Sequence, residues 1–99
     1  MSSAEDFLGL TEAESALIEL KLNLSRLHRE RRERAGLSQH ALAKRLHSSQ
    51  SRVAKMEAGD PSVTMDLLVR SLLVLGTPVG PLAQTIGSGR QARPSSIRR

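Results

Sequence analysis

Residues 37–59 read LSQHALAKRLHSSQSRVAKMEAG, and two short helical periods separated by a polar break lie within them. Ser38 is placed to cap a first helix running to Leu46. Leu37, just before that cap, is spaced to staple onto Leu42 at the fourth helical position. Leu42 and Leu46 share a face, and the small Ala43 beside them leaves room for a second helix to cross closely. His47-Ser48-Ser49 predicts a short turn in which Ser49 caps the next helix, ending at Ala58.

The second helix is polar for its length, and its polarity is sorted. At about 100° per residue, Val53 and Met56 fall on one side, where Leu42, Ala43 and Leu46 can bury them. Gln50, Ser51, Ala54 and Lys55 fall on the other side, with Arg52 at the flank. Two helices of this size joined by about three residues have the dimensions of a helix-turn-helix. An outward row of Gln, Ser and Lys with a small Ala between them is what a helix needs to enter a DNA major groove. Gln meets adenine N6/N7, Lys meets guanine O6/N7, and Ser adapts to either. Backbone N–H groups at the helix start can also meet a phosphate.

Upstream, Thr11 followed by Glu14 has the form of a capping box. From it, Ala13, Leu17, Leu20, Leu24 and Leu27 recur as a single apolar seam, and nothing breaks the helical pattern before Gly36. This predicts one helix of roughly 24 residues, about 36 Å long, with a bend or pause near Asn23-Leu24-Ser25. The seam serves either its own domain or a second copy or partner. Beyond Leu27 arginines dominate; Arg29, Arg31 and Arg34 are phosphate contacts or a solvated face. Ala35-Gly36 ends the helix, with Gly36 suited to a left-handed position. Downstream, Gly59-Asp60-Pro61 breaks the chain, and Thr64 with Asp66 starts a strongly apolar helix that Gly76 ends. Pro81–Ile86 predicts one or two further turns, and no segment reads as a strand. The expected fold is all-α: a compact domain of about five helices with a long N-terminal helix. We divide the chain into an acidic leader over 1–11, the domain over 12–86 and a disordered basic tail over 87–99.

Charge is unevenly distributed along the 99 residues, whose net formal charge is +5. Residues 1–20 carry five acids and no Lys or Arg, whereas residues 21–59 carry ten bases against Glu30, Glu33 and Glu57. The tail adds four arginines. A polyanion would meet a concentrated positive field at the middle block. The absence of cysteine excludes disulfides and thiolate metal sites and fits a reducing cytosol, so a cytoplasmic location is expected. Apolar runs such as Leu72–Leu75 are too short to span a bilayer, so no membrane association is expected. His28, His40 and His47 are too scattered for a metal site. No phosphate loop, nucleophile–base pair or carboxylate pair stands in a credible context, so neither enzyme activity, a cofactor nor a small-molecule ligand is expected.

Leu37–Val63 resembles the helix-turn-helix of the Xre family, the group of phage Cro and repressor proteins, and the likeness extends over about Arg32–Gly76. It rests on Gln39, Ala43, Gln50, Val53, Met56, Glu57 and Gly59 at the family's spacings. The resemblance implies a lambda-repressor-like fold with its motif over 38–58. It implies that Gln50, Ser51 and Lys55 read bases, and that Gln39, which braces Gln50, contacts phosphate together with Arg52, Ser49 and Lys44. It further implies a largely buried ion pair between Arg32 and Glu57. Two departures stand out. His47 occupies a turn position that is usually Gly, and His28 and Arg31 sit where the family places apolar residues. The acidic leader, long helix and short C-terminal region are most like HigA-type antitoxins. The implied function is a dimeric repressor of a palindromic operator that also neutralises a basic RNase toxin and autoregulates its operon. The alternative is a stand-alone repressor. Its partners would be double-stranded DNA, a second copy of the chain and, in the first reading, the toxin.

Overall fold

The structure, a computed structural model, describes residues 4–87, with side chains described from Thr11 onward. The chain folds as α1 (Ala4–Arg34), α2 (Gln39–Leu46), α3 (Gln50–Ala58), α4 (Met65–Val74) and α5 (Val79–Gly87). No strand occurs among the described residues, so the fold is all-α as expected. The expected disordered tail lies, from residue 88 on, outside the described residues. No described helix is long and apolar enough to cross a membrane.

Side-chain caps start three helices. Ser38 Oγ accepts from Ala41 N at 3.0 Å, Ser49 Oγ from Arg52 N at 3.1 Å, and Thr64 Oγ1 from Leu67 N at 3.1 Å. Each satisfies a backbone N–H that the helix itself cannot pair. α5 starts two residues before Pro81, which falls in the first turn, where its missing N–H breaks no intrahelical bond.

The first four helices end alike, each with a left-handed residue whose own N–H and that of the following residue fold back onto the last turn. Glycine holds that position at 36, 59 and 76, and His47 holds it at the end of α2 with φ 55° and ψ 47°. There His47 N donates to Lys44 O at 3.2 Å and Ser48 N to Ala43 O at 2.8 Å. The imidazole side chain is exposed and the geometry is that of the whole turn, so only the backbone conformation is strained. His47→Gly is therefore expected to stabilise the domain by about 0.5–1 kcal/mol, the left-handed cost less the extra flexibility of unfolded glycine. Thermal denaturation would read this as a raised midpoint; a lowered one would show that the His47 side chain contributes to the turn.

The core gathers Leu24 from α1, Leu42 and Ala43 from α2, Val53 and Met56 from α3, Val63, Leu68 and Leu72 around α4, and Leu82 from α5. Leu37 and Leu46 are partly buried and pack against this core. α2 packs on α3, and α1 lies across α3, α4 and α5.

Two expectations for α1 change. It starts at Ala4, so Thr11 lies inside the helix and not at its cap, and the helix runs unbroken through Asn23–Ser25, where a bend or pause was expected. A Thr with Glu three residues later is equally an ordinary surface pair within a helix, and nothing in residues 4–10 stops the helix earlier. The seam also divides. Leu24 is fully buried and Leu20 and Leu27 are half-buried, while Leu17 and Ala13 are exposed. The inward face continues past Leu27 through His28 and Arg32, both buried, so it becomes polar and does not end.

Candidate nucleic-acid interface

α3 buries Val53 and Met56 completely, and this pins its rotation. Gln50, Ser51, Arg52 and Lys55 consequently stay exposed. Ser51, Arg52 and Lys55 line a shallow hollow with Ser49 and with Ser62 and Val63 of the α3–α4 loop. That loop is braced by Asp60, whose Oδ1 accepts from Ser62 N at 2.8 Å and Ser62 Oγ at 2.6 Å. Ser49 spends its oxygen on the cap, leaving its O–H free to donate outward or to Ser51 Oγ, 3.3 Å away. Lys44 is exposed on α2.

Gln50 is oriented by a different set of contacts. Beneath it, Glu57 is the centre of a buried cluster: its side chain is 3% exposed and that of Arg32 is 10% exposed. Arg32 grips the carboxylate with both arms, Nε to Oε2 at 2.8 Å and Nη2 to Oε1 at 3.0 Å, and its Nη1 donates to Leu37 O at 2.7 Å. Gln39 Nε2 adds a donor to Oε1 at 3.2 Å, and His28 Nδ1 lies 2.7 Å from Oε2. Each carboxylate oxygen thus has two partners. An ionised carboxylate only accepts, so His28 must carry its proton on Nδ1. Its Nε2 is then free to accept from Ser71 Oγ on α4, 2.6 Å away.

The same logic extends outward to the surface. Gln39 must turn its amide nitrogen to Glu57, which leaves its Oε1 to accept from Gln50 Nε2 at 2.7 Å. Gln50 is therefore held with one N–H committed. Its Oε1 and second N–H remain unpaired, the acceptor–donor pair that matches adenine N6 and N7. An acceptor-only group at the bottom of the cluster sets the polarity of an amide at the top.

Titration of the cluster follows from its burial. Burial disfavours the imidazolium and holds His28 below its ordinary 6.5, outweighing the hydrogen bond and charge of Glu57; the Arg32 cation acts in the same direction as burial. Burial alone would raise Glu57, but hydrogen bonds from Arg32, Gln39 and His28 outweigh it and hold the carboxyl below its ordinary 4.5. Both folded values lie below the unfolded ones, so the unfolded chain binds more protons just beneath each ordinary value. Stability is accordingly full above 6.5, falls as pH drops from 6.5 through the folded value of His28, and falls again below 4.5 as Glu57 protonates. Urea midpoints across that range should show the first step in the parent and lose it in His28→Leu. A parent midpoint that rises on acidification from neutral pH would contradict this.

Among the predicted residues, the structure brings Arg32, Gln39, Gln50 and Glu57 into one hydrogen-bonded set, while Ser49, Ser51, Arg52 and Lys55 line a common hollow beside it. His28 and Ser71 were not predicted as members. A signal for His28 existed: Leu24, His28 and Arg32 form one row at spacings of four, so a buried Arg32 carries His28 inward with it. No His, Asp or Glu group of metal-holding size occurs among the described residues.

A family model described as a helix-turn-helix domain matches residues 23–85, more than half of the chain. This chain belongs to the helix-turn-helix domain family. No curated protein and no solved structure gives a match. Membership supports a DNA-binding regulator, and the family is a non-enzymatic one. In this helix-turn-helix protein the matched span begins inside α1 at Asn23. The earlier part of α1 lies before the matched span, and it carries the exposed Leu17, Ile18 and Leu22. These three line a hollow with Glu14, Lys21, Gly59 and Pro61, where Lys21 Nζ donates to Pro61 O at 3.2 Å.

Proposed function

We propose that the chain is a sequence-specific repressor of the Xre type that binds a palindromic operator in double-stranded DNA as a dimer. Gln50, Ser51 and Lys55 read base edges, while Gln39, Ser49, Arg52 and Lys44 contact phosphates. The observation that carries this reading is Gln50, exposed on α3 yet fixed by Gln39 with its free acceptor and donor outward. One such helix makes few base contacts, so two copies spaced about one helical turn apart raise affinity and specificity together.

Selection of duplexes from a random pool, followed by footprinting, tests this. Changing Gln50, Ser51 and Lys55 together to Ala should abolish discrimination between the selected duplex and random DNA while preserving the helical fold. Equal footprints for parent and variant on the selected site would sink the assignment of α3.

We further propose that the protein is the antitoxin of a toxin–antitoxin pair, HigA-like, which neutralises a basic RNase toxin and autoregulates its operon. The part of α1 before the matched span favours this second role: exposed Leu17 and Ile18 sit among Glu12, Glu14 and Glu19, a surface that suits a basic partner with an apolar groove. Deleting residues 1–20 should spare DNA binding and abolish neutralisation of the product of the adjacent reading frame. Retained neutralisation would move the toxin contact off residues 1–20, and a full chain that neutralises nothing would leave the stand-alone repressor as the reading.

A further inference from the structure

The buried His28 is the one member of the cluster whose second ring nitrogen ties it to a helix away from the reading surface. Its Nδ1 lies 2.7 Å from Glu57 Oε2, and its Nε2 lies 2.6 Å from Ser71 Oγ of α4. The ring is fully buried, so neither nitrogen has water as a substitute partner. Four donors meet four acceptor positions on the Glu57 carboxylate, and Arg32 alone spans both oxygens. Removing the donor at Oε2 leaves that oxygen short by one partner, and the carboxylate gains by turning toward whichever donor can follow it. Gln39 holds Oε1 through the longest of the four bonds, 3.2 Å, and is the first to be lost by such a turn. Without that bond the Gln39 amide has no reason to keep its oxygen toward Gln50.

We propose that His28 is a positioning residue for base reading: as an Nδ1–H donor it holds Glu57 so that Gln39 fixes the amide polarity of Gln50. The inference rests on Gln50 reading bases, as proposed above. It adds a specificity determinant on α1, buried and out of reach of DNA, and through Ser71 it makes the packing of α4 part of the reading apparatus.

Two polar replacements separate positioning from simple support. His28→Asn places an amide N–H where Nδ1 stands and gives up the Ser71 contact; His28→Gln places its amide near Nε2 and gives up the Glu57 contact. Both lose one buried hydrogen bond and both shrink the side chain, so a merely structural residue would respond alike to either. Operator discrimination, taken as the affinity ratio between the selected duplex and random DNA, should fall about tenfold in His28→Gln, within what one bidentate side chain–base pair contributes. In His28→Asn it should stay within about twofold, again small against that contribution. The Gln50 side-chain amide resonances of the free protein should move in His28→Gln and stay in place in His28→Asn. Equal effects of the two variants on both readouts would overturn the inference.

Gln50→Ala serves as the reference. If it abolishes discrimination while His28→Gln does not, the inference alone falls; if it leaves discrimination unchanged, base reading by Gln50 falls and takes the inference with it. Should either His28 variant fail to fold, nitrogen spectra of the parent imidazole decide: the Nδ1–H tautomer supports the relay, and the Nε2–H tautomer refutes it.

Discussion

Glu57→Ala should cost about 3–5 kcal/mol, because Arg32 and His28 would remain buried with no acceptor between them. That is a large share of the roughly 5–15 kcal/mol that holds a typical domain folded. The loss comes less from the pair's own attraction than from stranding the guanidinium, whose side chain is only 10% exposed, in a site built for its partner. It follows that changing Arg32 to Met together with Glu57 to Leu should cost less than Glu57→Ala alone, since both charges then leave. Urea denaturation checks this through the midpoint, with the slope unchanged. A loss below about 1 kcal/mol for Glu57→Ala would mean that the cluster is open to water, as exposed ion pairs are.

The second large effect divides the apolar seam of α1. Leu24 is fully buried, and Leu24→Ala should cost about 2–5 kcal/mol at any protein concentration. Leu17 is 46% exposed, and Leu17→Ala should change the monomer's stability by no more than about 0.5 kcal/mol. If the part of α1 before the matched span joins a second copy or a partner, the Leu17 variant instead loses the concentration dependence of the thermal midpoint that association confers. Equal, concentration-independent losses at both positions would mean that the whole seam packs on its own domain.

Legibility in the sequence followed the range of the interactions. Ser38, Ser49 and Thr64 were readable as caps because a cap is made within three residues. Residues 47–49 were readable as a short turn, and Gly36 and Gly76 as helix ends, because each is a local signal; the left-handed backbone at His47 was suggested only by the family resemblance. The division of α3 into a buried pair and an exposed polar row was readable because 3.6-residue periodicity sorts it before any partner is known. The start of α1 was not: the Thr11–Glu14 pattern suits a cap and a mid-helix surface equally, and only the continuation of the helix to Ala4 separates them.

Composition, charge and helical period alone determined an all-α chain of about five helices, the caps of α2, α3 and α4, and which face of α3 is polar. Tertiary structure decided the rest. Leu17 and Leu24 are the same residue on the same seam, yet one is exposed and the other buried, because the domain reaches only so far along α1. His28 became a buried hydrogen-bond donor because folding brings it 2.7 Å from Glu57, 29 positions away in the chain. A buried polar group takes its meaning from the partner that satisfies it, and that partner is supplied by the packing of α1 against α3 and α4, not by its neighbours in sequence.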